Sequence, residues 1–184
     1  MNNKHIKKIT TLAMLAAVSY LLAFLGHVFP WRIISFLTFD PKDITIVFTG
    51  YIFGPLSAVL VSVIVSFVEM VTFSSTGIWG FLMNVLSSCA FACTACIIYR
   101  RKRTIGSAAI SLVCGVLAMA AVMMPWNYFI TPIYMGVKRA DVAKMLVPTF
   151  LPFNLIKGTI NAVAAFVIYK PLKKALKAAK LLDM

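Results

Sequence analysis

Acidic and charged residues are scarce in this 184-residue sequence. Asp and Glu together number 5, charged residues make up 12%, hydrophobic residues reach 61%, and the mean hydropathy is +0.94. Soluble domains average about 45–50% apolar and roughly 25% charged residues. The composition therefore excludes a water-soluble domain and predicts an integral membrane protein. Since no polar or low-complexity stretch separates the apolar segments, we expect a single membrane domain over residues 1–184.

Sequence motifs for catalysis or nucleotide binding are also missing. The sequence has no GxxxxGK[ST] loop, so the chain is not expected to hydrolyse ATP itself. Its two histidines, His5 and His27, are far apart, and no His/Glu metal motif or Ser–His pair accompanies them. Cys93 and Cys96 form a CxxC in an apolar segment, where helix packing by small residues is a better explanation than a metal. We expect no catalytic residue, no metal and no cofactor, so the protein is not predicted to be an enzyme.

The apolar segments predict six membrane crossings. They cover about residues 9–28, 44–53, 56–73, 80–99, 105–129 and 150–169, with Gly54-Pro55 as the turn between the second and third. A polar connection is expected over 130–144. Segment 44–53 would be ~15 Å of helix, about half the hydrocarbon thickness. It is therefore either a helix that starts below the outer surface or a re-entrant segment, and the loop before it is a candidate wall of a pocket.

Basic residues cluster at the ends of the apolar segments, which is the positive-inside pattern rather than a nucleic-acid-binding surface. Six crossings bring most of them to one side, and that side is then the cytoplasm with both termini. The residues concerned are Lys4, Lys7, Lys8, Arg100, Arg101, Lys102, Arg103, Lys170, Lys173, Lys174, Lys177 and Lys180. The opposite, outer side holds fewer basic residues, partly offset by Asp40, Asp43 and Asp141: Arg32, Lys42, Lys138, Arg139 and Lys144. No nucleic-acid partner is expected.

Strongly polar residues within the apolar segments are few. They are Glu69, Asn84, Asn127, Asn154, Lys157 and Asn161. A lysine in the middle of a membrane helix costs roughly 2.5–3.5 kcal/mol on insertion scales, so such residues are functional candidates. Asn154, Lys157 and Asn161 lie at i, i+3 and i+7, on one face of the last helix. The alternative explanation is structural: Lys157 snorkels to the interface, or pairs with Glu69 to hold helices together.

Aromatic residues surround the level of these polar groups. They are Phe36, Phe39, Trp79, Phe81, Trp126, Tyr128 and Phe129. An interfacial aromatic belt would explain most of them. Together with an ammonium and several amides, however, they suit a flat, polar-edged ring as ligand.

Five stretches carry a family resemblance over nearly the whole chain: FLTFDPKDI, YIFGPLSAVL, GFLMN, WNYFITPIY and PFNLIKG. In this order and spacing the sequence resembles the substrate-binding S subunit of energy-coupling-factor (ECF) vitamin transporters, riboflavin-specific type. The resemblance implies an all-α, six-helix subunit of the bacterial plasma membrane. It would capture riboflavin in an outward-facing pocket under the first outer loop. A membrane scaffold (T) subunit and two cytoplasmic ATPases would be its partners.

The resemblance, joined to the polar and aromatic pattern, assigns the candidate residues. Those for substrate binding are Phe39, Asp40, Asn84, Asn127, Tyr128, Asn154 and Lys157. Ala13 and Ala17 match a small-residue AxxxA that docks on the scaffold in this family, although such spacing also serves ordinary helix packing. TGIWGFLMN departs from the Gly-Glu that riboflavin-specific members often carry there. Two alternatives stay open, which are an S subunit for another vitamin, such as thiamine or folate, and a membrane scaffold protein that does not transport.

Overall fold

The computed structural model describes residues 3–29, 32–34 and 37–178. Its elements in chain order are α1 (Asn3–Val28), β1 (Arg32–Ile34), β2 (Leu37–Thr38), α2 (Asp43–Phe53), α3 (Pro55–Thr72), α4 (Gly77–Lys102), α5 (Ile105–Met135), α6 (Arg139–Met145) and α7 (Leu151–Ala178). A π-helical turn, Leu146–Phe150, joins α6 to α7. Phe36, one of the aromatic candidates, and Lys180, one of the C-terminal lysines, lie outside the described residues.

Five helical segments are long and apolar enough to cross a membrane. They are 5–28, α3, α4, α5 and the continuous segment 139–174. Helix α2 is apolar but has 11 residues, or ~16 Å, about half the thickness of the hydrocarbon core. The only strands in the described residues are β1 and β2, a short antiparallel hairpin. The chain is therefore a multi-pass, helical membrane protein.

Helix α2 lies in the middle of the bundle, where it contacts α1, α3, α4 and α7. Its residues are buried on every side, including the unbroken run from Thr45 to Tyr51. An apolar helix without a polar face is stable only where other helices surround it. Helix α1 is the opposite case, because most of its apolar side chains are exposed.

The turn predicted at Gly54-Pro55 is confirmed. Helix α2 ends at Phe53, and Pro55 opens α3 at the first helical position, where its missing N–H costs nothing. Gly54 has φ +100° and ψ 170°, a backbone conformation that is essentially limited to glycine. A Cβ at this residue would also lie 2.6 Å from Arg100 Nη1. The sequence therefore places its glycine where the chain must reverse against α4.

The polar connection expected over 130–144 is largely helical. Helix α5 continues to Met135 through two internal prolines, Pro125 and Pro132, and α6 occupies Arg139–Met145. Prolines are tolerated in membrane helices because neighbouring groups can satisfy the backbone carbonyls that they release. The composition of residues 130–144 did not predict these helices, since the charged residues of the segment are compatible with either a loop or a short helix.

The loop before α2 enters the bundle. Asp43, the first residue of α2, pairs with Lys157, which lies six residues or ~9 Å into α7. Asn161, a further turn along α7, donates a hydrogen bond from Nδ2 to the Asp40 carbonyl oxygen at 3.1 Å. The start of α2 therefore lies inside the bundle, in contact with α7.

Candidate functional site

A small polar cavity lies between α4, α5 and α7. Its volume is about 30 Å³, enough to hold water but not a larger ligand. The lining residues are Met83, Asn84, Ser87, Met123, Asn127, Phe153, Asn154 and Lys157. Ligand pockets typically measure 300–1,000 Å³, so a ligand of vitamin size requires the surrounding side chains or loop to move apart.

Three asparagines, one from each helix, line this cavity with their amides already oriented. Asn84 Nδ2 donates to Glu69 Oε2 at 3.1 Å, and Asn154 Nδ2 donates to the Phe150 carbonyl oxygen at 2.7 Å. Asn127 Nδ2 donates to the Met123 carbonyl oxygen at 2.8 Å. Each amide nitrogen thus uses one of its two N–H groups within the protein, and the Asn127 oxygen also accepts from Thr131 Oγ1 at 3.0 Å. The remaining N–H groups and amide oxygens can form hydrogen bonds with a ligand.

Lys157 supplies the positive charge of the cavity. Its side chain is 7% exposed, and Nζ lies 3.7 Å from Asp43 Oδ2. That distance is an ion pair but too long for a hydrogen bond. Asp43 in turn accepts a short hydrogen bond from Ser88 through Oδ1, and its position in the first turn of α2 favours its negative charge.

Two further ion pairs share the ammonium of Lys42. Lys42 is fully buried, with Nζ 2.6 Å from Asp40 Oδ2 and 2.5 Å from Glu69 Oε2. The pairing of Glu69 with Lys157, considered above as a structural role, is therefore wrong. The loop that holds Lys42 folds inward and carries this lysine between the helices.

The charges in this loop stabilise one another. Burial alone would raise the pKa of Asp40, but Lys42, and to a lesser degree Lys157, outweigh it and hold that pKa below its usual 3.8. Burial likewise disfavours the ammonium of Lys42, yet Asp40 and Glu69 raise its pKa above the ordinary value. Both groups are therefore ionised at neutral pH.

Further hydrogen bonds fix the loop backbone on the helices. The Lys42 carbonyl oxygen accepts from Ser19 Oγ at 3.1 Å and from Thr45 Oγ1 at 2.8 Å. At Gly26 of α1, an added Cβ would lie 3.0 Å from the Phe39 carbonyl oxygen, so the loop packs directly on the α1 backbone. The site thus depends on α1, the loop, α3, α4 and α7 together.

The structure brings some predicted site residues together and leaves others apart. Asn84, Asn127, Asn154 and Lys157 line the cavity, and Asp40 belongs to the adjoining ion cluster. Tyr128 is not among the lining residues; its ring packs edge-on against Phe129 at 5.0 Å and lies under the Arg139 guanidinium.

Three more candidates lie outside the cavity lining. Phe39 is buried in the loop. Ala13 and Ala17 are exposed on α1, away from the cavity and on the face open to lipid or to a partner.

Sequence reasoning missed several residues of the site. Lys42 and Asp43 form its ion pairs, while Phe153, Ser87, Met83 and Met123 complete the lining. Asp43 and Lys42 follow Asp40 in a loop stretch where charged residues are usually solvated. One signal could have found them: three of the five acidic residues in the chain are Asp40, Asp43 and Glu69, close to intramembrane segments.

Comparison with known proteins identifies the family. The model of the family "ECF transporter, substrate-specific component" matches residues 7–169. The chain belongs to this family. The family comprises substrate-binding components of transporters, so the protein is a transport component and not an enzyme.

Individual relatives agree with this ECF family. The chain is 29% identical to "Riboflavin transporter RibU" of Staphylococcus aureus (strain TCH60), with 96% of each chain covered. It is 26% identical to "Riboflavin transporter FmnP" of Bacillus subtilis (strain 168), covering 91% of this chain and 93% of the relative. A solved structure of the S component of a bacterial ECF transporter superposes with a TM-score of 0.78 at 28% identity, covering 94% of this chain and 99% of that one.

Proposed function

We propose that this protein is the riboflavin-binding S component of an ECF-type importer. The observation that carries the proposal is the cavity, where the Lys157 ammonium lies among amides from three helices. Riboflavin suits this arrangement, since its isoalloxazine ring is flat and apolar with carbonyl groups and an N–H on one edge. Lys157 would donate to a ring carbonyl or a ribityl hydroxyl, and amide oxygens would accept from N–H or O–H groups.

The membrane arrangement follows from the same residues. We infer six crossings, in which the inward-folding loop together with the short α2 makes the second one, and both termini in the cytoplasm. The cluster Arg100–Arg103 ends α4, and Lys170, Lys173 and Lys174 lie near the end of α7, consistent with one cytoplasmic side. Lys157 then lies in the outer half of the bilayer, and the pocket opens outward under the loop that contains Asp40.

Transport requires energy that this chain does not provide. We infer a membrane scaffold (T) subunit and two cytoplasmic ATPases as partners in a bacterial plasma membrane, as expected for the family. The exposed α1 face with Ala13 and Ala17 is the proposed scaffold contact, because small residues allow close approach of helix backbones. Over residues 1–184 we propose one membrane domain.

Ligand identification tests the proposal. The purified protein is denatured and any released small molecule is identified by mass spectrometry, and thermal shifts are measured with riboflavin, thiamine and folate. We expect riboflavin to be released and to raise the melting temperature more than the others do. A larger shift with thiamine or folate would assign the same fold to another vitamin, and no shift with any ligand would support a scaffold role.

A further inference from the structure

Lys42 neutralises two carboxylates that lie close to the ligand cavity. Its ammonium is fully buried and lies 2.6 Å from Asp40 Oδ2 and 2.5 Å from Glu69 Oε2, while the Asp40 side chain is 21% exposed. We propose that Lys42 is a positioning residue that occupies Asp40 and Glu69 and thereby keeps the Lys157 ammonium available to the ligand. The inference rests on the proposed function, since it concerns binding at the same cavity.

Charges within the cluster explain why such a residue is needed. Three carboxylates, those of Asp40, Asp43 and Glu69, lie with two ammonium groups, those of Lys42 and Lys157. Lys42 takes two carboxylates at contact distance, and Lys157 is left with Asp43 at 3.7 Å. Within the described residues Lys157 forms no hydrogen bond, so its N–H donors are unused where it lines the cavity.

Removal of Lys42 would leave Asp40 and Glu69 without their shared cation. Lys157 is near enough to lower the pKa of Asp40, and it is the ammonium group that remains in this cluster when Lys42 is removed. A buried carboxylate gains strongly from a cation, because the low dielectric of the interior magnifies their attraction. Lys157 would then be drawn into an ion pair with the protein and away from the ligand.

Glu69 also connects Lys42 to the cavity wall. Its Oε2 accepts from both Lys42 Nζ at 2.5 Å and Asn84 Nδ2 at 3.1 Å. If Glu69 turned toward Lys157, Asn84 would lose the partner that orients its amide. Loss of Lys42 therefore disturbs two cavity residues through one carboxylate.

The loop backbone itself does not depend on the Lys42 side chain. Ser19 and Thr45 both donate to the Lys42 carbonyl oxygen, so these bonds do not involve its side chain. Lys42→Met keeps the length of the apolar stem and removes only the charge. The variant is thus a specific test of the ammonium group.

The experiment measures riboflavin affinity by fluorescence titration of the purified protein for four forms: wild type, Lys42→Met, Glu69→Gln and the double variant Lys42→Met/Glu69→Gln. We expect Lys42→Met to weaken binding about 10- to 100-fold, the equivalent of one charge-assisted hydrogen bond. The double variant restores the wild-type net charge of the cluster and is expected to recover part of the lost affinity, since only Asp40 is then left without its cation. Glu69→Gln alone should weaken binding less than Lys42→Met, since Lys42 still pairs with Asp40.

Recovery of riboflavin affinity in the double variant distinguishes the positioning role of Lys42 from a role in packing alone. A purely structural Lys42 would make the double variant bind as weakly as Lys42→Met or more weakly, and that result would overturn the inference, as would wild-type affinity in Lys42→Met. If Lys42→Met does not fold, the double variant must still fold and bind. Lys144→Met, which removes an exposed lysine of an exposed ion pair, is the control and should bind as wild type does. Failure of the wild type to bind riboflavin would instead reject the proposed function.

Discussion

Replacement of Lys157 by methionine separates a ligand-binding lysine from a structural one. Lys157 Nζ forms no hydrogen bond among the described residues and lies 3.7 Å from Asp43 Oδ2. In the complex it would donate to a riboflavin oxygen, and a hydrogen bond from a charged donor contributes about 1.5–3 kcal/mol. We therefore expect Lys157→Met to weaken riboflavin binding by about 10- to 150-fold.

The ion pair between Lys157 and Asp43 also determines how much Lys157→Met should lower the stability of the protein. Removal of one partner of a well-formed buried ion pair costs about 3–5 kcal/mol. The Lys157–Asp43 pair is looser than that, and Asp43 keeps its hydrogen bond from Ser88. We therefore expect a loss below this range, so that the variant folds and its melting temperature falls only moderately without ligand.

Titration of riboflavin fluorescence and thermal unfolding of the same preparations measure both effects. Lys144→Met is the matched control, because Lys144 also lies 3.7 Å from a carboxylate, that of Asp141, but both side chains are exposed. Its binding should equal that of the wild type. Wild-type affinity in Lys157→Met, or a collapse of its fold, would refute the reasoning and indicate that the lysine serves only to hold helices together.

Three further predictions concern partner assembly, acid stability and the turn. Leucine at Ala13 and Ala17, both exposed on α1, should abolish co-purification with the scaffold and ATPase subunits while the isolated subunit still binds riboflavin; retained assembly would reject this contact. Because the folded pKa of Asp40 is lowered from 3.8, its contribution to stability is complete above that pH and disappears as pH falls through the folded value. The wild-type melting temperature should thus drop on acidification in this window, and Asp40→Asn should flatten that part of the profile; an unchanged slope would contradict the pairing with Lys42. Gly54→Ala, at φ +100°, should cost about 1–3 kcal/mol of stability, and an unchanged melting temperature would argue against the glycine requirement.

Polar residues in apolar helices were the part of the site that the sequence could reveal. Asn84, Asn127, Asn154 and Lys157 stand out because each costs free energy in a membrane unless it has a partner. Helical spacing also placed Asn154 and Lys157 on one face, and the structure has both lining one cavity. These inferences need only local periodicity, which a single sequence provides.

The ion cluster could not be predicted from local sequence patterns, because its contacts join residues that are far apart in the chain. Lys42 meets Glu69 across 27 residues of sequence, and Asn161 meets the Asp40 carbonyl across 121. Both require the loop to fold between helices, whereas loops with charged residues usually lie in solvent. Which of the two neighbours, Asn127 or Tyr128, lines the cavity likewise depends on the rotation of α5 about its axis. In the structure Asn127 lines the cavity, whereas Tyr128 packs beside Phe129.

The family assignment argues against a role other than transport. A match over residues 7–169 to the ECF substrate-specific components leaves the identity of the substrate as the main question for this chain. The buried ammonium and the amides bear on that question, because a ligand that pairs with both kinds of group must carry acceptors as well as donors.

Titration of riboflavin with the purified wild-type protein tests the central claim most directly. Riboflavin fluorescence is followed as protein is added in detergent or nanodiscs, with Lys144→Met and Lys157→Met in parallel. We predict saturable quenching with one riboflavin per chain in the wild type and in Lys144→Met, and a strongly weakened curve in Lys157→Met. Unchanged riboflavin fluorescence at saturating wild-type protein would contradict the assignment of this cavity to riboflavin.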